Sequence, residues 1–388
     1  MRYGRDLLSL WPLDPSAIYL NHGTVGVTPR AVLDAQQQWR HRVERHPSRF
    51  MLRDVWTFTG SAGDGRTLMR EAAATVAAFV GAPVDDLVFV DNTSAGVNAV
   101  VRSMPLGPGD EIILTDHAYG GIVTAVRYAA ARAGATVTVV GMPYPAFTSA
   151  ECVARIDAAL SPRTRLLIVD HVSAESALVF PVQTIVAAAR RRGIPVLVDG
   201  AHVPGSMPLD VAAIGADFYV ANLHKWAMAP RSSAFMVVAP EHQGWLHPPV
   251  ISWGFETGFT QEFDWVGTRD VTPWLCAADG VRFVEDQLGG QALYARNHAL
   301  VWHAAQRLTQ AWDTPLEIDE SLAGCMVSVP APARCGTTKA DASHLRDRLL
   351  FDHDIEVQVH ARADRVWIRL CAQAYNDESD VDALARAV

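Results

Sequence analysis

The sequence predicts an α/β fold built around a mostly parallel, seven-stranded sheet. Between about residues 85 and 240, short apolar runs alternate with segments of helical periodicity, which is the pattern of βαβ units. Segments 119–134 and 182–193 each end in a glycine that can cap a helix. The predicted strands are DLVFVD, DEIILTD, ATVTVVG, TRLLIVDHV, IPVLVDGAH, ADFYVAN and SAFMVVA.

Polar residues stand where several of these runs end. Ligands of open α/β sheets bind at the carboxyl ends of the strands, so this repeated placement predicts a binding site at that edge. The residues are Asp91, Asp116 with His117, Asp170 with His171, and Asp199 with His202.

After about residue 240 the periodicity is lost. Residues 242–270 are rich in Gly, Trp and Phe and are predicted to form a long functional loop or a subunit interface. A helical region is expected from Thr272 to Ala311, followed by a small α+β unit whose strands are GCMVSVP, IEVQVH and DRVWIRLCA.

Composition excludes several classes of protein. The chain has 388 residues, 49% of them hydrophobic and 19% charged, which indicates a globular protein rather than a disordered one. Its net charge of −9 and its scattered Lys and Arg residues argue against nucleic acid or an anionic membrane as a partner. The longest apolar stretch, 72–82, is too short to span a membrane, and no signal peptide is evident, so a cytoplasmic protein is expected.

Cysteines and histidines give no sign of a metal or a disulfide framework. The five cysteines are far apart with no CxxC pair, and no HExxH motif is present, so no metal is predicted. The low share of charged residues suggests an obligate oligomer, or a hydrophobic large domain.

Three local patterns carry the chemistry. In DNTSAGVNAV, a strand leads into Thr93, Ser94 and Ala95 at the start of a helix, where free backbone N–H groups favour an anion such as phosphate. An ordinary helix N-cap without a bound anion would give the same sequence pattern. In VLVDGAHVPG, Asp199 ends a very apolar strand, where a carboxylate needs a cation or must cap a turn.

The third pattern is ADFYVANLHKWAMAP, in which Lys225 follows a strand between His224 and Trp226. An amine in this setting should have a lowered pKa and be able to form a Schiff base. Most lysines near an apolar run only extend to solvent, so the specificity lies in the combination. An anion cradle, a buried aspartate and a buried lysine are the contacts that pyridoxal 5′-phosphate needs.

On these motifs the chain resembles the class V aminotransferase group of fold-type I pyridoxal-phosphate enzymes, and within it the isopenicillin N epimerase-like proteins. The resemblance implies a large cofactor-binding domain at 21–270, a small C-terminal α+β domain at 271–388, and an N-terminal segment, 1–20, packed with the small domain. It extends over YLNHGTVGVTPR, FMLRD, DNTSAGVN, TDHAYG, VDGAHVPG, the HK pair, GTRDVTPWL and IRLCAQAYN.

The resemblance also implies roles for individual residues. Lys225 would hold the cofactor and act as the acid/base, Asp199 would pair with the pyridinium nitrogen, His117 would stack on the ring, and His202 would contact the ring hydroxyl. Thr93, Ser94, Ala95, Asn222, His224 and, from a neighbouring subunit, Thr268 would form the phosphate site, so a homodimer with shared active sites is implied. Arg369 would bind the substrate carboxylate, with Asn21 and Arg53 as further substrate contacts, although Arg53 could equally be an ordinary surface residue.

The sequence departs from the family pattern at two places. Asn222 replaces the usual Ser or Thr, and Ser173 and Ala174 stand near where relatives carry an asparagine close to the ring. Cys325 precedes an apparent strand rather than lying in a Gly/Ser-rich loop, which disfavours desulfurase chemistry through a persulfide.

The reaction is predicted less sharply than the cofactor. We expect removal of the α-proton of an amino acid held as its external aldimine, followed by β-elimination from an S-conjugated cysteine, which makes the enzyme a C–S lyase. Epimerisation is the alternative, and transamination, decarboxylation coupled to deamination, or binding without turnover are further ones. The aromatic loop could shape a pocket for such a substrate or fill a dimer interface: Trp245, Trp253, Phe255, Phe259 and Phe263.

Overall fold

The computed structural model describes residues 2–57 and 67–388. Its strands are β1 (Ile18–Tyr19), β2 (Leu87–Val90), β3 (Glu111–Thr115), β4 (Thr136–Val140), β5 (Thr164–Asp170), β6 (Val196–Asp199), β7 (Phe218–Asn222), β8 (Ala234–Val238), β9 (Met326–Pro330), β10 (Ile355–Glu356), β11 (Gln358–Arg362) and β12 (Arg365–Cys371).

The α-helices are α1 (His22–Val25), α2 (Arg30–Arg45), α3 (Pro47–Arg49), α4 (Leu68–Val80), α5 (Thr93–Ser103), α6 (Gly120–Ala133), α7 (Ser149–Ala159), α8 (Val182–Arg190), α9 (Val211–Ile214), α10 (Pro240–Gln243), α11 (Phe259–Asp264), α12 (Thr272–Leu275), α13 (Ala277–Arg282), α14 (Gln291–Trp312), α15 (Lys339–His353) and α16 (Glu378–Ala387). Short 3₁₀ segments are Arg5–Leu10, Val84–Asp86, Glu320–Leu322 and Ala333–Cys335, and π-helical turns are Phe50–Val55 and Phe283–Gln287.

Strands β2 to β8 form the predicted seven-stranded sheet, in the order β2–β8–β7–β6–β5–β3–β4. Strand β8 is antiparallel to both of its neighbours, and the remaining pairs are parallel. The expected α/β class and the mostly parallel sheet are therefore confirmed. Every residue of β6 and β7 is buried, because helices cover both faces of the sheet.

Alternate side chains of each strand enter two different cores. In β5, Leu167 and Val169 belong to the core that includes helix α4, whereas Leu166 and Ile168 belong to the core under α5 and α6. The sheet is thus fixed in register from both sides, which fixes the positions of the polar residues at the strand ends.

The C-terminal part contains a separate antiparallel sheet in the order β11–β12–β9. Strand β1 pairs in parallel with β10, so the N-terminal segment is bonded to this part of the chain. Helices α12 and α13 pack against α4 beside the large sheet, although they follow residue 270. The boundary at 270/271 stays a prediction.

A cavity lies at the carboxyl ends of the central strands of the large sheet, and the aromatic residues of segment 242–270 do not line it. Phe259 and Phe263 are buried in the core under α5, against which Trp245 packs. Trp253 and Phe255 are instead 62% and 42% exposed. None of the helices in the described ranges has the length and apolar character needed to cross a bilayer.

The turn that carries Lys225 is held by close backbone contacts at glycines. Gly26 has φ +68°, and a Cβ atom there would overlap the carbonyl oxygen of His224. Gly205 has φ +89°, and a Cβ atom there would overlap the carbonyl group of Trp226. The lysine is therefore positioned by two segments that are distant in sequence and can approach only as glycine.

Gly26→Ala should lower the free energy of unfolding by more than the roughly 1 kcal/mol expected from a positive φ alone. Urea unfolding measures this, and Gly193→Ala is the matched control, because Gly193 has φ +67° with no atom within 4 Å of its added Cβ. Equal losses in the two variants would show that the contact with His224 is unimportant.

Candidate active site

A cavity of about 850 Å³ opens where β3, β5, β6 and β7 end, at the edge that the sequence predicted. Its walls come from both parts of the chain. The residues that line it and that bear on its chemistry are Asn92, Thr93, Ser94, Asp116, His117, Tyr119, Asp170, Ala174, Glu175, Ser176, Asp199, His202, Asn222, His224, Lys225, Gln358, Arg362 and Arg369.

The start of α5 forms one end of the cavity. The Thr93 backbone N–H donates to Oδ1 of Asn222 at 3.0 Å, so Asn222 holds this helix end in place. The hydroxyl of Thr93 is buried without a hydrogen-bond partner in the described part of the chain. Together with the partial positive charge of the helix N-terminus, it offers a donor to an anion.

The place of Ala95 in the phosphate site stays a prediction. Its backbone N–H already donates to the side chain of Asn92, the N-cap residue, at 2.9 Å. Ala95 also does not line the cavity, whereas Ser94 does. Of the three predicted residues at this helix start, Thr93 and Ser94 line the cavity.

Asp199 lies at the carboxyl end of β6 and is buried. Its Oδ1 accepts the backbone N–H of Ala201 at 2.9 Å. Burial raises the pKa of this carboxyl to about 6, although that hydrogen bond and the charge of Lys225 act to lower it. The rise shows that the carboxylate lacks a full cationic partner.

The amine of Lys225 lies 3.1 Å from Nε2 of His202. Burial, with a contribution from the Arg369 charge, lowers the pKa of Lys225 to about 8, whereas Asp199 acts to raise it. Burial and the charges of Lys225 and Arg369 hold the pKa of His202 well below its usual value, so the imidazole is neutral. About a tenth of Lys225 is therefore an uncharged, nucleophilic amine at pH 7, far more than for an ordinary lysine.

The backbone of Lys225 is fixed by a residue that the sequence analysis did not assign to the site. The Lys225 carbonyl accepts from Nε2 of His22 at 3.1 Å, and Nδ1 of His22 is 2.9 Å from the hydroxyl of Tyr375. These distances fit a Tyr375 hydroxyl that donates to Nδ1. The motif YLNHG contains His22, but only the fold brings it to this turn.

His224 lines the cavity on the side of α5. Its Nδ1 donates to the carbonyl of Ser233 at 3.0 Å, which orients the ring and leaves Nε2 for another partner. Burial lowers its pKa to about 4, so the ring is neutral at pH 7.

His117 lines the cavity, and its stacking on a cofactor ring stays a prediction. Its side chain is fully buried, its Nδ1 lies 2.6 Å from Oγ of Ser176, and it packs at 5.7 Å from the ring of Phe180. Two residues further on, Tyr119 is 51% exposed and lines the cavity. His117 and Tyr119 are thus both part of the cavity wall.

Ser173 explains how His117 is held. Ser173 Oγ lies 2.6 Å from Oγ of Ser176 and accepts the backbone N–H of Leu178 at 2.9 Å. The sequence departure at this position therefore makes a hydrogen-bonded chain beneath the cavity wall, rather than a contact to a ligand.

Arg369 is almost completely buried and is anchored on several sides. It donates to Oδ1 of Asn21 at 2.9 Å and to the hydroxyl of Thr24 at 2.7 Å, and it also donates to the carbonyl of Ala174. Its Nε is buried without a partner among the described residues. Asn21 is thus next to the site through Arg369, although it does not line the cavity itself.

Arg53 and Thr268 also lie outside this cavity in the single chain. Arg53 is exposed and donates to the neighbouring carbonyl of Leu52 at 2.6 Å. Thr268 is exposed on the surface. Its contact with a neighbouring subunit stays a prediction.

Sequence reasoning missed the residues that β11 supplies. Gln358 and Arg362 lie on the same face of β11 and line the cavity. Arg362 donates to Oδ2 of Asp116 at 2.6 Å, which ties the end of β3 to the small sheet. The period-two spacing was visible in IEVQVH, but which face of that strand meets the cavity depends on tertiary packing.

The lowered pKa of Lys225 can be measured directly, because the chain has just two lysines, Lys225 and Lys339. In the cofactor-free protein, acylation of Lys225 should reach half its maximal rate near pH 8. Asp199→Asn should move this midpoint down, and Arg369→Gln should move it up, since the two charges act in opposite directions.

Peptide mass spectrometry would follow both lysines in one sample, with the exposed Lys339 as the internal reference. A midpoint that neither variant moves would contradict the electrostatic description of the site.

Comparison with known proteins agrees with this geometry. The chain is 32% identical to the isopenicillin N epimerase of Streptomyces clavuligerus (97% of this chain, 95% of that protein) and 28% identical to an L-cysteine desulfhydrase of Arabidopsis thaliana (95% and 86%). Its fold matches that of a cystine C–S lyase bound to its reaction product cysteine persulfide, with a TM-score of 0.77 at 22% identity (95% and 96%). The model of the class V aminotransferases matches residues 18–337, and the chain belongs to this family.

Proposed function

We propose that this protein is a pyridoxal 5′-phosphate enzyme that acts at the α-carbon of an amino acid, as a C–S β-lyase on an S-conjugated cysteine. The observation that carries the proposal is a buried amine of lowered pKa, Lys225, and a buried carboxyl of raised pKa, Asp199, in one cavity that also contains a buried arginine.

The residues present fit this cofactor. The unpartnered hydroxyl of Thr93 and the start of α5 suit its phosphate, and Asp199 suits a protonated ring nitrogen. Nδ1 of His202 is also buried without a partner in the described ranges, which suits the ring hydroxyl. When bound, the cofactor supplies an aldehyde for amino groups and a ring that withdraws electrons from the substrate α-carbon.

The chain's own residues then divide the work. Arg369 binds the α-carboxylate, and its rigid anchoring by Asn21 and Thr24 fixes the orientation of the substrate. Lys225 takes the proton from the α-carbon, for which a pKa of about 8 is well matched to neutral pH. His117 is the residue that would stack on the cofactor ring, with Tyr119 beside it in the cavity wall.

Elimination is favoured over the alternatives by what surrounds the cavity. The cysteines of the described chain do not line it, so a thiol that would capture sulfur covalently is not supplied there. The C–S lyase and the desulfhydrase among the similar proteins fit the same chemistry.

Epimerisation is the second candidate. It is supported by the 32% identity to an epimerase along nearly the whole chain, and by the phenol of Tyr119, which is exposed at the cavity as a possible donor to a second face. Its requirement is a proton delivered from the side opposite Lys225.

We also propose a homodimer. Four large apolar side chains of one segment, Val250, Ile251, Trp253 and Phe255, are 42% to 62% exposed, and Thr268 lies on the surface in the same part of the sequence. An apolar patch of this kind is typical of a subunit contact.

Product analysis in heavy water tests the reaction. With S-alkyl cysteines and saturating cofactor, we expect release of the thiol, pyruvate and ammonia at equal rates, with little deuterium in the recovered substrate. Lys225→Ala should abolish all three, because the base is lost, while Lys339→Ala should not change them. Deuterated substrate of mixed configuration without thiol release would instead establish an epimerase.

Arg369→Lys should raise KM for the substrate by about tenfold or more, because a forked, charge-assisted contact to the carboxylate is replaced by a point charge. Steady-state kinetics with one cysteine conjugate measures this. Arg365→Lys is the matched control on the same strand, since Arg365 is exposed and paired with Glu317. An unchanged KM would remove Arg369 from substrate binding.

A further inference from the structure

Asp170, a second buried carboxyl group, lies beside Asp199. Asp170 is the last residue of β5 and Asp199 is the last of β6, and the two are paired in register in the parallel ladder. Residues in register on adjacent parallel strands point to the same side and are about 4.8 Å apart across the ladder. Both line the cavity, and they are 3% and 5% exposed.

The positive charges around Asp170 and Asp199 can balance one carboxylate but not two. Lys225 is the cation that acts on Asp199. Asp116, from the end of β3, is bonded to Arg362, and His117 is bonded to Ser176. The side chain of Asp170 accepts from its own backbone N–H but forms no hydrogen bond or ion pair with another side chain of the described residues.

Two carboxyl groups so placed cannot both be ionised at moderate cost. Asp199 is the member that is prepared for a negative charge, since it accepts the Ala201 N–H and faces the charge of Lys225. Burial and the charge of Asp199 raise the pKa of Asp170 well above its usual value. The shared proton therefore belongs on Asp170.

We propose that Asp170 is a positioning residue for the cofactor-binding aspartate: as a neutral carboxylic acid it donates a hydrogen bond to Asp199 and keeps a single negative charge opposite the ring nitrogen. This role rests on the proposed cofactor, but the location of the proton does not. The bond would orient the Asp199 carboxylate without adding a second charge to the site.

The proton can be located in the cofactor-free protein. A group whose pKa is raised by folding contributes stability below its unfolded pKa, and this contribution is lost as the pH rises through its folded pKa. Asp170→Asn, which imitates the neutral acid, removes that loss. The variant should therefore gain in urea midpoint over the wild type as the pH is raised from about 5 to about 8. Glu175→Gln, an exposed carboxylate of the same cavity, should follow the wild-type curve.

The second arm uses the cofactor. Asp170→Asn should bind pyridoxal phosphate with wild-type affinity and give the same absorbance spectrum at neutral pH. Asp170→Leu lacks the donor and should lose about tenfold to hundredfold in affinity, the usual size of a hydrogen bond to a charged group. Its spectrum should also show a shifted pH titration, which a purely structural defect would not produce.

The results of the stability and cofactor-binding experiments either support or overturn the proposed role of Asp170. Parallel stability curves for Asp170→Asn and wild type would overturn the proposal, as would a loss of affinity in Asp170→Asn equal to that in Asp170→Leu, since then Asp170 acts as an anion. A wild type that binds no cofactor would remove the proposed function, while the stability arm would still show whether Asp170 holds the proton.

Discussion

The site depends on the removal of charged groups from water at one edge of the sheet. Strands β5 and β6 end in Asp170 and Asp199, and Lys225 and Arg369 reach the same cavity from other segments. Because these side chains are buried away from water, neighbouring charges and hydrogen bonds set the protonation state of each of them. Burial raises the pKa of Asp199 and lowers that of Lys225. This edge of the large sheet can therefore bind a ligand that carries one positively charged ring nitrogen and one aldehyde.

Rigid packing keeps these charges at fixed separations. Gly26 and Gly205 let two distant segments contact the backbone around Lys225, and His22 bonds its carbonyl. Arg369 is anchored by Asn21, from the N-terminal part of the chain. Lys225 and Arg369 are therefore both anchored to the segment that follows β1, and movement of that segment would affect both.

Much of this could be predicted from the sequence, because it depends on local patterns. Each of the seven apolar runs became a strand of the large sheet, since buried parallel strands have nearly continuous apolar sequences. Asp199 and Lys225 were predicted from their positions at and after strand ends, and both line the cavity. The stacking of His117 on the ring stays a prediction, whereas its contacts with Ser176 and Phe180 could not be predicted, because they depend on loops that meet only in the folded chain. Asp170 was noted at a strand end, but its register with Asp199 required the sheet order.

The central claim is that Lys225 receives the cofactor's aldehyde in this cavity, and reductive trapping tests it most directly. Purified protein is mixed with pyridoxal 5′-phosphate, reduced with borohydride, digested and examined by mass spectrometry. One phosphopyridoxyl group is expected on the peptide that contains Lys225 and none on the peptide that contains Lys339, with the absorbance band of the bound cofactor lost in Lys225→Ala. Labelling of Lys339 alone, or of neither lysine, would contradict it.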